Sequence, residues 1–491
     1  MDGLTGRVHA FGDLDVTVVG DALLDRWANG ETRRLCREAP VPVVSVTGTE
    51  DRPGGAGNTA ANVAALGARA HLVAALGGDE PGAALRAALA AGGVVGHLVD
   101  VPGRRTPVKQ RFRVGGQILL RVDDVDGAPL PPAAERELLD ALAGAPGRVL
   151  LAADYGLGVL TAAVRQRLAT QRDRVLVVDS HDLPAWRSAR PVAVTPNWAE
   201  ARALLGPGAG EVTGAERVDV VERGRERLWA ATGARLVVVT LDADGAVLLE
   251  RGRPPYRAYA RPAPEHRTIG AGDTFAAAFT LALAAGAEPP EAVEVGSAAA
   301  AAVVAGVGTA VCPAGDLLAH LGRAQPRLLD AAQLAATVAG HRAAGQRIVF
   351  TNGCFDVLHR GHVAYLDQAK RLGDVLVVAV NSDRSVAVLK GPDRPVIPLE
   401  DRAAVLAALS CVDYLVAFDE PSPVRLLEQI RPDVYVKGGD YTPEMIPEAS
   451  VVRRLGGQVR VVDYLADRST SAVLERIRSG GPVETTSDQG T

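Results

Sequence analysis

Two short stretches carry residue types suited to moving phosphate. In TIGAGDTF (268–275), Gly270, Ala271 and Gly272 open an Ala-rich run and Asp273 follows them. Glycines at a helix start let backbone N–H groups and the positive helix end face an anion. An ionised Asp held beside an alcohol can take its proton as the oxygen attacks phosphorus. Alone, the same pattern also reads as a helix cap. The second stretch is TNGCFDVLHRGHVAYL (351–366), where His359 and His362 bracket Arg360-Gly361 just after an apolar run. Three residues apart at a helix start, two imidazoles can face one point, and Gly361 permits close approach of the backbone to a nucleotide. Both rings can then donate to the phosphates of a nucleoside triphosphate during attack on its α-phosphorus. The ligand phosphate is the nucleophile, so catalysis is positioning and charge stabilisation. Metal ligation is the other reading of two histidines, and no third ligand lies nearby in the sequence.

Other polar residues fall at the ends of apolar runs. Asp21 closes the first of these, with Asp25 four residues later. RPGGAGNTAANVAALG sets Gly54 and Gly55 before Asn58 and Asn62, which share one helix face. Such amides suit a polyhydroxylated ligand or, equally, a helix cap. In TPNWAE, Asn197 and Glu200 have a spacing able to organise a hydrated magnesium ion. In the second half, Gly353, Phe355 and Asp356 form G-x-F-D, and Lys390 and Arg394 in LKGPDRP are placed to neutralise a triphosphate. Any one of these taken alone also fits a solvated surface position. Ser469, Thr470 and Ser471 open the last helical run, where hydroxyl and N–H groups bind phosphate or simply cap. Cys354 reads as a small packing residue.

The elements that must hold these residues alternate regularly. Continuous apolar β-branched runs (16–20, 71–76, 148–155, 174–180, 192–197, 235–241) are separated by Ala/Leu-rich helical stretches. That rhythm predicts an α/β fold with parallel sheet covered on both faces. VPVVSV (41–46) and residues 108–124 break it and predict antiparallel strands of a small β lid. Near residue 346 a second βα series begins, and the expected organisation is a first domain over 1–320, a helical linker over 321–345, a second α/β domain over 346–478 and a disordered tail over 479–491.

The 491 residues require more than one ordinary domain. A net charge of −5 without a basic block argues against wholesale phosphate-backbone binding, and no nucleic-acid partner is expected. Four scattered cysteines without a C-x-x-C pair exclude a disulfide framework and fit a reducing compartment. The N-terminal residues lack a signal-peptide pattern. The apolar run at 296–308 is too short to span a bilayer and predicts a buried helix. A soluble, cytoplasmic protein that does not engage a membrane is expected.

The first half resembles the ribokinase/PfkB family of sugar kinases over residues 14 to 315. The resemblance implies a ribokinase-like fold in which Asp273 is the catalytic base and Gly270, Ala271 and Gly272 form an anion hole. It implies that Asn197 and Glu200 hold magnesium indirectly through water. It also puts Asp21, Gly54, Gly55 and Asn58 in the sugar pocket, and Thr240 and Gly245 against ATP. Arg267-Thr268-Ile269 stands where the family usually has the Asp-x-Thr that helps hold a monovalent cation, which puts potassium activation in doubt. Asp242 also replaces a glycine usual in the ATP strand. Projecting lid strands in this family often pair between subunits, so a homodimer through the first domain is expected.

The second half resembles the cytidylyltransferase-like nucleotidyltransferases, a Rossmann-like fold. The motifs are G-x-F-D, H-x-G-H, NSD (381–383), LKGPDRP, VKGGDY (436–441, with Lys437, Gly438 and Asp440) and RSTSAVLERI. Over nearly the whole chain, GDALLDRW, EAPVPVV, RPGGAGN, TNGCFDVLHRGH, LKGPDRPV and VKGGDY are similar to the bifunctional enzymes of ADP-heptose biosynthesis. That resemblance implies ATP as nucleotide, Mg²⁺, and two reactions. One is C1 phosphorylation of D-glycero-D-manno-heptose 7-phosphate. The other is adenylyl transfer from ATP to heptose 1-phosphate. The 7-phosphate would need cations, with Lys109, Arg111, Arg113 and Arg121 as candidates that sequence does not separate. The alternatives are another sugar with CTP as donor, one domain degenerate and regulatory, or a scaffold protein.

Overall fold

A computed structural model describes residues 2–462 except 172, 211, 213–214, 260–269, 305–310, 323–327, 344, 410 and 439–444. The chain divides into two compact units, Met1–Gly322 and Arg323–Thr491.

Thirteen strands of the first unit are described: β1 (Asp15–Gly20), β2 (Ala22–Leu35), β3 (Pro42–Gly55), β4 (Arg69–Leu76), β5 (Val95–Asp100), β6 (Val108–Val114), β7 (Gln117–Asp124), β8 (Val149–Asp154), β9 (Val175–Ser180), β10 (Ala193–Val194), β11 (Leu236–Thr240), β12 (Ala246–Glu250) and β13 (Tyr256–Ala258). Nine form one sheet in the order β13-β12-β11-β10-β9-β8-β1-β4-β5. It is parallel from β11 to β5, and β12 and β13 run antiparallel at one edge. Side chains alternate across a strand, so Val16 and Val18 enter one core and Val19 the other. Helices Ala56–Ala65, Ala271–Ala284 and Pro289–Val304 pack on the first face. The last bears out the buried helix expected from residue 296 as far as Val304, and 305–308 lie outside the described residues.

The remaining strands make the lid, in the order β3-β2-β6-β7. It is larger than expected. GDALLDRW was read only for its acids, yet Ala22–Leu35 is a fourteen-residue strand pairing antiparallel with β3 and parallel with β6. Buried Leu23, Leu24, Trp27 and Ala28 anchor its first half, whereas its polar second half reads as loop by hydropathy. The lid is thus a mixed sheet and not a purely antiparallel one.

The second unit holds a six-stranded parallel sheet, β14-β17-β16-β15-β18-β19, built from Leu328–Leu329, Ile348–Gly353, Val375–Asn381, Tyr414–Phe418, Val434–Gly438 and Gln458–Val462 in chain order from β14 to β19. The segment expected as a linker belongs to this unit. Leu328 and Leu329 pair with Leu415 and Val416, and the helix Ala331–Ala343 buries Leu334 and Val338 in the same core as Ile348 and Val377. Two apolar residues four apart suffice to dock a helix, and they read as unremarkable in a polar sequence. No helix among the described residues is long and apolar enough to cross a membrane.

Candidate active sites

In the first unit the catalytic candidates converge at the C-terminal ends of β1, β8, β9 and β11. The helix Ala271–Ala284 starts at Gly270, whose φ of 83° is a conformation that glycine adopts without strain. Asp273 lies in its first turn, buried. Its carboxylate accepts from Asn58 Nδ2 at 2.6 Å, from Thr59 Oγ1 at 3.3 Å and from the Tyr155 hydroxyl. Burial pushes the Asp273 carboxyl above the ordinary range; the bonds from Asn58 and Tyr155 oppose this, and nearby Asp25 adds to it. Asn62 ties the two helices together. Its Nδ2 donates to the Asn58 carbonyl at 3.0 Å, while its Oδ1 accepts from Thr274 Oγ1 at 2.9 Å and Cys312 N–H at 3.0 Å. The four-residue spacing of Asn58 and Asn62 therefore serves the acid more than a sugar.

A cavity of about 210 Å³ opens beside Asp273, lined by Tyr155, Asp179, His181, Asn197, Glu200, Thr240, Gly270 and Gly272 among others. Asn197 and Glu200 form a reciprocal helix cap: Asn197 Oδ1 accepts from Glu200 N–H at 3.0 Å, and Glu200 Oε2 accepts from Asn197 N–H at 2.9 Å. The other Glu200 oxygen meets His181 Nδ1 at 2.6 Å, which raises the imidazole pKa. Among the described residues no three His, Cys, Asp or Glu side chains cluster tightly enough to hold a metal. The Glu200 carboxylate and the Asn197 amide, both partly committed to this cap, suit a magnesium ion held through water. Asp179, half-buried near Asp273 and Glu200, is pushed up to about 8, loss of solvent being the main cause.

Several residues at the expected sugar pocket make bracing contacts. The Asp21 carboxylate accepts N–H bonds from Tyr155, Leu157 and Val159 at 2.9 to 3.0 Å, so it shapes the loop that carries Tyr155. Gly55 has φ 57°, and a Cβ there would meet the Asp21 carbonyl oxygen at 2.4 Å; one on Gly54 would meet Leu23 at 2.4 Å. Asp25 is bonded to Arg111 at 2.6 Å, both side chains being buried. Gly245, at φ 89°, turns the chain between β11 and β12. Tyr155, Asp179 and His181 were not singled out from sequence. Tyr155 and Asp179 fall in the last two residues of the apolar runs 148–155 and 174–180, and His181 follows the second, which was the available signal.

The second site is local. His359 caps the helix Arg360–Lys370: its Nδ1 accepts from Gly361 N–H at 3.1 Å, which leaves Nε2 as the protonated nitrogen of the neutral ring. The His359 and His362 ring centroids are 4.1 Å apart, and Phe355, at φ 49°, packs 5.6 Å from His362. Burial, then His359 and Lys390, push His362 down to about 4, so its ring is a neutral donor near pH 7. Lys390 is exposed at the end of the helix Asp383–Lys390 yet near enough to be felt by His362. Arg394 is paired with buried Asp356, whose carboxylate also accepts from Val396 N–H at 2.7 Å and Ile397 N–H at 3.2 Å. The pair thus braces the loop, although both residues were expected against the nucleotide. Arg402, which was not anticipated, is fully buried and donates to the Cys354 and Ile397 carbonyls and to Asp383. Gly353 backs onto the Phe355 ring, where a Cβ would lie 3.2 Å away. Lys437 lies half-buried at the end of β18, its pKa lowered chiefly by burial, and Gly438 follows it. Asp440, Ser469, Thr470, Ser471 and the 267–269 departure lie outside the described residues.

Comparison with known proteins matches this geometry. Residues 13–314 fit the pfkB family carbohydrate kinases and residues 350–476 the cytidylyltransferase-like family. The "Bifunctional protein HldE" of Alcanivorax borkumensis is 42% identical over 484 residues, covering 96% of this chain and 98% of the relative. That of Azotobacter vinelandii is 43% identical over 474 residues, covering 94% and 97%. The chain belongs to the HldE family. It is a sugar kinase joined to a nucleotidyltransferase. Escherichia coli phosphofructokinase-2 in complex with potassium superposes with a TM-score of 0.54 at 23% identity, covering 63% of this chain and 98% of that one, which supports the ribokinase-like fold.

Proposed function

We propose that the first unit transfers the γ-phosphoryl group of ATP to the C1 hydroxyl of D-glycero-D-manno-heptose 7-phosphate, giving the β-1,7-bisphosphate. The second unit joins AMP from ATP to heptose 1-phosphate, giving ADP-heptose and pyrophosphate. The observation that carries this reading is full-length similarity to HldE proteins combined with an intact Asp273 and an intact His359/His362 pair. Asp273 takes the C1 hydroxyl proton, oriented by Asn58 and Thr59. The N–H groups of Gly270, Ala271 and Gly272 receive the transferred phosphate. Mg²⁺ offsets phosphate charge beside Asn197 and Glu200, and Thr240 and Gly245 border the nucleotide. His359 and His362 donate to the triphosphate of the second reaction, with Lys390 and Lys437 supplying positive charge. Both reactions run in the cytoplasm. The full chain supplied with ATP and heptose 7-phosphate, or with heptose 1-phosphate and either ATP or CTP, tests this. Pyrophosphate release with CTP but not with ATP rules out the adenylyl assignment.

The lid supports a homodimer through the first unit. Strand β7 is exposed along its whole length and carries Ile118, Leu119, Leu120 and Val122, an apolar strand that in isolation invites pairing. Leu120→Lys is expected to shift the protein to monomer in sedimentation; an unchanged dimer places the interface elsewhere.

A further inference from the structure

The lid separates the four cations that the sequence left equivalent. Lys109, Arg111 and Arg113 alternate along β6 and share one face, in register with Asp25, Trp27 and Asn29 of β2. Arg111 faces Arg121 of β7 in the same way, and Lys109 faces Asp123. Two of the cations are committed to carboxylates. Arg111 donates to buried Asp25 at 2.6 Å, and Arg121, 49% exposed, forks onto Asp123 at 2.7 and 2.5 Å. The other two meet no carboxylate within ion-pair distance among the described residues. Arg113 bonds the neutral amide of Asn29 at 2.8 Å and lies 5.4 Å from the Trp27 ring centroid, from which Arg111 is 5.1 Å away. Lys109 sits 5.5 Å from the centroid of the Tyr155 ring, whose hydroxyl bonds Asp273.

This arrangement has a direction. Lys109 marks the end of the row next to the catalytic acid, and Arg113 is four residues farther along, roughly 13 Å in backbone rise. A planar guanidinium beside an indole, with its Nε–H spent on an amide, can still turn its terminal N–H groups to a phosphate. We infer that Arg113, with Lys109, clamps the distal phosphate of the acceptor sugar, whereas Arg111 is a positioning residue that holds Trp27 and Asp25, and Arg121 takes no part in binding. The inference rests on the proposed heptose reaction, in which the acceptor carries phosphate at the end remote from C1.

The test is the ratio of kcat/KM for heptose 7-phosphate to that for heptose, measured on one preparation of the full chain. A ratio cancels any loss of folded protein. Arg113→Gln is expected to lower this preference on the order of 30-fold, the range of a charge-assisted bond, with partial recovery in Arg113→Lys. Arg121→Gln is expected to stay within about 3-fold of wild type, as for an exposed pair. The clamp is overturned if Arg113→Gln keeps the wild-type preference, or if Arg121→Gln loses as much. A wild type that uses both sugars equally overturns the clamp and leaves the heptose reaction standing. One that turns over neither overturns the heptose reading and the clamp with it.

Discussion

The two active sites differ in how far apart in the chain their parts lie. In the kinase unit the acid at Asp273 is bonded to Asn58, Thr59 and Tyr155, residues 118 to 215 positions away. In the nucleotidyltransferase unit His359, Gly361, His362 and Phe355 fall within eight positions of one another, and the bracing by Arg394 and Arg402 comes from farther along the chain. A base that must abstract a proton needs a buried, oriented carboxylate, and orienting it takes donors from several elements. A triphosphate needs donors on a helix start, which one loop can provide.

The largest effects should show that the sites act independently. Asp273→Asn is expected to lower kinase kcat about 1,000-fold, in the range for a general base, while adenylyl transfer proceeds; retained kinase turnover removes Asp273 as the base. His359→Ala is expected to cost adenylyl transfer on the order of 100-fold, as for a lost preorganised donor, with the kinase rate as internal control. Next comes the bracing: Arg402→Met leaves the Cys354 and Ile397 carbonyls without this donor, removes the partner of Asp383, and should destabilise the second unit by about 3 kcal/mol, read in denaturant melts. A shift below measurement error makes the brace decorative.

The smallest effect is one of sign. Asp179 has its pKa raised to about 8 in the folded kinase unit, above the ordinary carboxylate value, so its contribution to stability is full at low pH and lost as pH rises toward 8. His362 is lowered to about 4, below the ordinary imidazole value, so its contribution is full above about 6.5 and lost as pH falls through 4. Asp179→Asn should flatten a loss between about pH 4 and 8 in one unit and His362→Gln an acid loss in the other. Unchanged profiles in both variants would refute these titrations.

How much of each site could be read beforehand follows the same division. G-x-F-D and H-x-G-H were legible because their geometry is set within one strand–loop–helix turn. In the kinase unit the acid and its glycines were legible, and their partners were not. Tyr155 follows the end of β8 and Asp179 lies in the last two residues of β9, with no motif to mark either. Asp21 and Arg394 look like ligand contacts by type and position, yet backbone N–H groups and a buried carboxylate had already engaged them. The helix Ala331–Ala343 was taken for a linker because two buried apolar residues leave a faint periodic signal.

Apolar periodicity and glycine-led helix starts thus determined, from the chain alone, two α/β units and their order, and pointed to the residues proposed for each chemistry. Local sterics and burial set those features, and both are written in consecutive residues. The tertiary structure alone decided which polar groups face a cavity and which are spent on holding the loops around it. That outcome depends on hydrogen-bond and ion-pair partners brought in from distant strands. The lid cations show this most directly: four similar side chains on paired strands become two bound and two available once Asp25 and Asp123 take their places beside them.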